Sequence, residues 1–388
     1  MVIAGIGAQH RTMTPSAIET SAARGARNLL VACAGARAGQ RLLILRESPD
    51  FGYYEPGLAE CVGAMARRLG LEVTMVDVGF SPENPGLSPR LRALIEGADI
   101  TLFLSRLGDQ LRFAEGLPEG RIVVCFVIGE GCLGSAFGTA DYRAFVALKS
   151  LVNRHLAEAQ QVRVTCRAGT DFSGRPEMGD FADTSVKRFP VSVFAPVPGE
   201  AFSGTVALPG FLAGTGSRYY DGYMQRFDGP VLARFRAGRL TGFDGSARDV
   251  ARAQAQYDRV ARRYGIDRDR VHSWHAGIHP GCGFPWDATR QMERWSGAAF
   301  GNPRILHLHT CGDQAPGEIS LNVIDPTVII DGVKVWEDGV FHPERLSGGG
   351  TILRAWPMVA ELFANPDRRI GMAPPSAAVP AGETASTG

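Results

Sequence analysis

Between Arg41 and Ile128 short apolar runs alternate with helical stretches, and no other feature limits the fold as much. Arg41 to Leu45 (Arg-Leu-Leu-Ile-Leu) reads as a buried strand. A helix from Leu58 to Leu69 ends at Gly70, and Glu72 to Val78 reads as a second strand. Ser88 to Glu96 is a helix, Ile100 to Leu104 a third strand, and Arg121 to Ile128 a fourth. Strands and helices in this rhythm imply crossover connections, so a doubly wound parallel sheet is expected. A further helical pattern precedes it, from Ser21 to Ala34. Gly5-Ile6-Gly7 neither follows a strand nor opens a helix, so it is no dinucleotide fingerprint.

From Val162 the texture changes to short β-like runs: 162–166, 191–195, 204–208, 231–236, 304–309 and 327–330. One helix, Ala247 to Tyr264, interrupts them. The 388 residues exceed the ~250–300 that one core usually supports, so two domains are expected. The fold class is α/β, with an N-terminal doubly wound parallel-sheet domain over 21–160 and a C-terminal α+β domain over 161–370. Residues 1–20 read as an arm, and 371–388, rich in Pro, Ala, Ser, Thr and Gly, as a disordered tail.

Composition narrows the partners. Lys plus Arg number 41 and Asp plus Glu 40, a formal net charge of +1. That leaves no electrostatic footprint for nucleic acid or an anionic membrane, and points to a small-molecule substrate. No run of ~18 apolar residues suggests a membrane span, and the N-terminus has no basic region or full apolar stretch of a signal peptide. The seven cysteines are scattered, without a Cys-x-x-Cys pair, and read as free thiols in a cytoplasmic chain. Glycine is in excess, 48 residues against a usual ~7%, and needs explanation by turns and close backbone approach.

The histidines are concentrated. Five of eight lie between residues 272 and 309: His272, His275, His279, His307 and His309. Trp274 to Gly283 holds His275 and His279 in a loop or a strand-to-turn passage, because Gly277 and Pro280 oppose a helix. Ile305 to Cys311 reads as a strand whose period of two places His307, His309 and Cys311 on one face. Two imidazoles one strand repeat apart can share a metal, with a third histidine from another segment and a nearby carboxylate such as Asp313, Glu318 or Asp287. The alternatives are structural histidines or a pocket for an anionic substrate. Trp274 and Trp286 are candidates to stack on a ring or to be core, and Tyr219, Tyr220 and Tyr223 to cover a site or fill a subunit contact.

A series of weak motifs adds to this. Ala38-Gly39-Gln40-Arg41-Leu42-Leu43-Ile44 is followed by Val162 to Phe172 with its Ala168-Gly169-Thr170-Asp171-Phe172. Phe189-Pro190, Ser203-Gly204-Thr205-Val206, Arg236 to Gly242, and Pro326-Thr327-Val328 to Asp331-Gly332 come next, in that order. The series resembles the family of M29 thermophilic metallo-aminopeptidases and the related 2,5-dihydroxypyridine 5,6-dioxygenases, over roughly residues 21–345. His275 in Trp-His-Ala-Gly-Ile and the stretch Ala299-Phe300-Gly301-Asn302 place it nearer the dioxygenase branch, whose iron-binding histidine falls at His275. Three positions depart from the pattern. Ser203 stands at a family acidic position, and Glu318-Ile319-Ser320 stands where a His-x-Asp pair is expected. His307 and His309 occupy positions of non-ligands.

A relocated site is the expectation that accommodates these departures: His275, His307, His309 and Glu318 around one divalent metal, two histidines and one carboxylate suiting Fe(II), with Zn as the alternative. His279 and Asp313 are the catalytic candidates, and Trp274, Trp286, Ser203 and Tyr219 the substrate-binding ones. The first expectation is a non-heme Fe(II) ring-cleaving dioxygenase acting on a small aromatic or heterocyclic substrate. The second is a Zn-dependent hydrolase, aminopeptidase or deaminase with Glu318 or Asp313 as base. The third is a metal-free binding protein derived from such an enzyme. Relatives of this kind imply a homo-oligomer.

Overall fold

The computed structural model describes residues 20–83, 86–111, 116–178, 186–214, 218–313 and 315–372. The expected arm up to residue 19 and the expected tail from 373 lie outside the described residues.

Strands β1 (Arg41–Glu47), β2 (Glu72–Val78), β3 (Ile100–Leu104) and β4 (Ile122–Cys125) run parallel, as the alternation requires. After β5 (Val162–Thr165) and β6 (Asp171–Gly174) the chain comes back with β7 (Lys187–Phe189), which pairs parallel with β4. The order across the sheet is β2-β1-β3-β4-β7. Leu42 to Leu45 of β1 and all of β3 are buried, because helices cover both faces of a parallel sheet. The edge strand β2 exposes Glu72, Thr74 and Asp77 instead. The helix Leu58–Arg68 packs on this sheet through Leu58, Val62, Met65 and Ala66, one stripe at helical spacing. Because β7 follows the boundary expected at residue 160, the later part of the chain completes the earlier sheet.

Twelve more strands follow: β8 (Val197–Pro198), β9 (Ser203–Ala207), β10 (Phe211–Ala213), β11 (Met224–Arg226), β12 (Leu232–Arg236), β13 (Arg239–Asp244), β14 (Val271–Ala276), β15 (Ile305–Cys311), β16 (Glu318–Ile324), β17 (Thr327–Ile330), β18 (Val333–Glu337) and β19 (Val340–Phe341). They form two antiparallel sheets, ordered β11-β10-β16-β15-β14-β8 and β13-β12-β9-β6-β5-β17-β18-β19. One expected strand is absent. Within 191–195 only Val193 makes a bridge, to Gly277. The backbone there is satisfied one group at a time: Ser192 O accepts from Ile278 N at 2.9 Å, and Ala195 N donates to Asn153 Oδ1 at 3.0 Å. The Phe194 carbonyl is thereby left to a side chain.

The six-stranded sheet carries the histidines. β15 and β16 are buried along their whole length. Behind them lies the helix Ala247–Tyr264, started by Ser246, whose Oγ accepts from Asp249 N at 3.1 Å, and ended by Gly265 at φ 64°. It buries Ala253, Tyr257 and Val260, and the Tyr257 hydroxyl lies 2.6 Å from Thr310 Oγ1 on the back of β15. In front lies the helix Met292–Ala298, and one apolar cluster joins its Trp295 to Ile305, Ile324, Leu42 and Ile44. The front of the sheet is thus closed from water, and polar side chains there need partners within the protein. Among the described residues no helix is long and apolar enough to cross a membrane.

Candidate metal centre

Register decides which side chains meet. β15 pairs with β16 so that His307 faces Asn322, His309 faces Ser320 and Cys311 faces Glu318. β14 pairs with β15 so that His275 faces His307 and Ser273 faces His309. One extra residue, His272, bulges between Val271 and Ser273. Its Nε2 lies 3.0 Å from the Cys311 carbonyl, outside the cluster. The bulge lets Val271 share the apolar back of β15 while Ser273 and His275 share its front. The sheet front is therefore a buried polar row of His275, His307, His309, Ser320, Asn322 and Glu318.

Within that row three imidazoles converge. His275, His307 and His309 each offer a ring nitrogen, all within 4.8 Å of one another. The rings are 4.1 Å apart for His275 and His307, and 5.0 Å for His275 and His309. Phe300 lies over His307 at 4.2 Å. The outward nitrogens fix the tautomers. His275 Nδ1 lies 3.0 Å from the Phe194 carbonyl, an acceptor only, so Nδ1 carries the hydrogen. His309 Nδ1 is in direct contact with the Glu318 carboxylate, which assigns its hydrogen in the same way. The Nε2 atoms of these two rings face each other at 3.0 Å.

Two lone pairs at that separation repel unless a proton or a metal ion lies between them. The arrangement fits a metal. Nitrogens bound to one ion at about 2.0–2.1 Å and at right angles stand about 2.9 Å apart. Metal-binding histidines also donate their other N–H to a carboxylate or a backbone carbonyl, as His309 and His275 do. Imidazole suits Zn, Fe, Cu and Ni.

The expected ligand set is corrected at Glu318, and the expected strand face at Cys311. Glu318 is 1% exposed, yet the three-nitrogen group does not include it; it holds His309 from behind. Cys311 leaves the histidine face because its φ of 68° breaks the period of two, and its side chain joins the apolar cluster with Leu306 and Leu308. Burial pushes its thiol up to about 12, which disfavours the thiolate a metal needs.

The structure also sorts the other candidates. His279 is fully buried but stands outside the triad, stacked on Phe145 at 3.8 Å and edge-on to Phe137 at 4.8 Å. Gly281 N donates to its Nδ1 at 3.2 Å, and burial lowers its pKa to about 3, so it stays neutral. Trp274 points to the back of β14, against Phe194 and Phe202, because it alternates with His275. Trp286 packs on Phe284 and under Arg294, and Ser203 accepts from Ala237 N at 2.8 Å in the other antiparallel sheet. Tyr219 is buried near Phe80, and neither it, Ser203 nor Trp286 lines the space before the triad. Asp313 does line it, from the exposed mouth.

That space is a cavity of about 100 Å³ between the two kinds of sheet. The triad forms one wall, and Phe126, Phe137, Phe300, Arg188 and Asp109 form others. Phe126 follows β4 and Arg188 lies on β7, so the carboxyl end of the parallel sheet closes the site, where such sheets bind ligands. Sequence reading missed Phe126 and Arg188. The rule about carboxyl ends, applied to the strand expected at 121–128, points to Phe126. Two larger clefts, about 550 and 440 Å³, have no histidine among their described lining residues.

No family model and no curated protein matches the chain. Among solved structures, 2,5-dihydroxypyridine dioxygenase from Pseudomonas putida KT2440 matches with a TM-score of 0.55 and 13% identity, covering 84% of this chain and 98% of that one. Wild-type AmpT from Thermus thermophilus matches with a TM-score of 0.43 and 12% identity, over 79% of this chain and 94% of that one. Of the two, the dioxygenase is the one whose score supports a shared fold, and at 13% identity fold is what it supports.

Proposed function

We propose that His275, His307 and His309 hold one divalent transition metal and that the chain is a metal-dependent enzyme, a non-heme Fe(II) dioxygenase of a small aromatic or heterocyclic ring. The convergence of three buried ring nitrogens within 4.8 Å of one another carries this reading. The shared fold with a dioxygenase supports the choice of reaction. Fe(II) bound there would supply redox chemistry toward dioxygen, and Zn would supply Lewis acidity toward water.

The chain's own residues do the rest. Glu318 and the Phe194 carbonyl keep His309 and His275 in the ligating tautomer. Phe126, Phe137 and Phe300 offer ring faces to a planar substrate and keep water out. The cavity of about 100 Å³ is smaller than the apolar cavity of about 150 Å³ that takes up benzene, so it limits the substrate to one ring at most. Asp313, exposed at the mouth, can pass a proton between the pocket and solvent.

A second reading, a Zn hydrolase, has one observation in its favour: three imidazoles without a carboxylate among them match a three-histidine catalytic zinc set that activates water. Anaerobic reconstitution with Fe(II), followed by oxygen uptake with a panel of hydroxylated single-ring substrates, separates the two. Uptake with Fe(II) and none with Zn supports the oxygenase. Hydrolysis with Zn in the absence of oxygen supports the second reading, and a protein that binds neither metal contradicts both.

A further inference from the structure

The Phe194 carbonyl that faces His275 is itself held in place, by a residue outside the site. Between the pairing of Val197 with Trp274 and the bridge of Val193 to Gly277, three residues (Phe194, Ala195 and Pro196) lie opposite two (His275 and Ala276). The extra residue interrupts the ladder, as at a β-bulge, and Pro196 brings no N–H to restore it. Among the described residues no strand pairing includes the peptide between Phe194 and Ala195. Its two polar ends go elsewhere. The Phe194 carbonyl lies 3.0 Å from His275 Nδ1, and the Ala195 N–H donates to Asn153 Oδ1 at 3.0 Å. Asn153 stands on the helix Tyr142–Glu158, which is anchored by Leu148, Leu151, Val152 and Leu156. The peptide is trans, so its C=O and N–H point in opposite directions from one rigid plane.

We propose that Asn153 is a positioning residue of the metal centre: by holding the Ala195 N–H it keeps the Phe194 carbonyl turned to His275 Nδ1, and so leaves Nε2 as the ligating nitrogen. This rests on the triad binding metal, as proposed above. The competing state is a reversed peptide. It would present the Ala195 N–H to Nδ1, which would have to accept, and the hydrogen of a neutral ring would move to Nε2. A nitrogen that carries a hydrogen cannot bind a metal. Phe194 and Ala195 are each 1% exposed, so water is not at hand to replace the Asn153 oxygen. Asn153 also strengthens the contact it sets, because a peptide whose N–H donates is a better acceptor at its carbonyl. A firmer acceptor at Nδ1 makes the imidazole a more basic ligand.

Nitrogen NMR of the metal-free full chain, carrying isotope-labelled histidine at neutral pH, tests this. The His275 signals are assigned by their loss in His275→Gln. In the wild type Nδ1 is expected to carry the hydrogen. In Asn153→Leu, which fills the space without an acceptor, the hydrogen is expected to shift in part to Nε2. Competition titration with Zn(II) is then expected to show about tenfold weaker binding. Asn153→Asp keeps an acceptor oxygen and is expected to match the wild type in both measurements. A role in folding alone would lower the thermal stability of Asn153→Leu and leave the tautomer unmoved, and that result overturns the inference. So does an Asn153→Asp that behaves like Asn153→Leu. A shifted tautomer with unchanged Zn(II) affinity also overturns it, since Nε2 would not be the ligating nitrogen. The two proposals fail separately. A wild type that binds no Zn(II) sinks the metal centre, and the tautomers of the metal-free proteins still decide the hold of Asn153 on His275.

Discussion

The molecule buries histidine in two ways, and the contrast shows what turns a buried imidazole into a ligand. His279 is fully enclosed, stacked on Phe145, and its Nδ1 accepts from a backbone N–H two residues on. Its environment is apolar on both faces, and a neutral ring completes the packing. His275 and His309 are also buried, at 4% and 7% exposure, but His275 Nδ1 faces the Phe194 carbonyl and His309 Nδ1 is in contact with the Glu318 carboxylate. Their remaining nitrogens then point at one another. Burial is common to both regions. The acceptor on the far nitrogen is the difference, because it leaves a lone pair aimed inward.

The largest expected effect follows directly. A divalent metal should stabilise wild type and His279→Phe alike, by roughly 4 kcal/mol at a thousandfold excess over Kd, and should leave His309→Ala unmoved. Thermal melts with and without added metal read this. Stabilisation of His309→Ala would erase the distinction between the two regions. Next comes Glu318→Gln, which keeps the shape behind His309 but removes the charge. Metal affinity is expected to fall about 10–100-fold by competition titration, with full occupancy still reached at saturation.

A third effect belongs to His279. Its folded pKa of about 3 lies below the unfolded value near 6.5. The unfolded chain therefore takes up a proton that the folded one refuses, and stability falls as pH drops through that window. Above pH 6.5 the contribution is complete. In metal-free protein, urea unfolding of wild type against His279→Phe should show a difference of up to about 1.4 kcal/mol per pH unit between those values. A flat difference would mean that His279 is hydrated. The smallest effect is on the back of the same strand: Thr310→Val, which loses the Tyr257 contact, should cost about 0.5–1.5 kcal/mol and leave metal binding intact.

The sequence showed part of this and hid part for identifiable reasons. A period of two placed His307 and His309 together, since that rule needs only a strand. It failed at Cys311, where a positive φ reverses the side chain, a turn that the residues around it do not announce. His279 and Trp274 were candidates by proximity to His275, but strand alternation and the end of β14 carry them elsewhere. Glu318 was found as a carboxylate near the metal, and its place behind His309 depends on the pairing of β15 with β16. Val191 to Ala195 has a strand composition, yet its backbone serves the site, with the Phe194 carbonyl holding His275. The parallel sheet was legible because alternating strands and helices leave few other arrangements. Its contribution to the cavity was not, because Arg188 lies 119 residues before His307, with no local signal linking them. The glycine excess is explained in part at the site: a Cβ on Gly277 would meet Asn302 O at 2.2 Å, and one on Gly301 would meet Ser192 Cβ at 2.6 Å.

The central claim is that His275, His307 and His309 form one metal site. Elemental analysis of purified protein after anaerobic reconstitution and removal of excess metal tests it most directly. One divalent ion per wild-type chain is predicted, with none retained by a folded His275→Ala/His309→Ala variant. Wild type without stoichiometric metal, or a double variant that keeps it, would contradict the account.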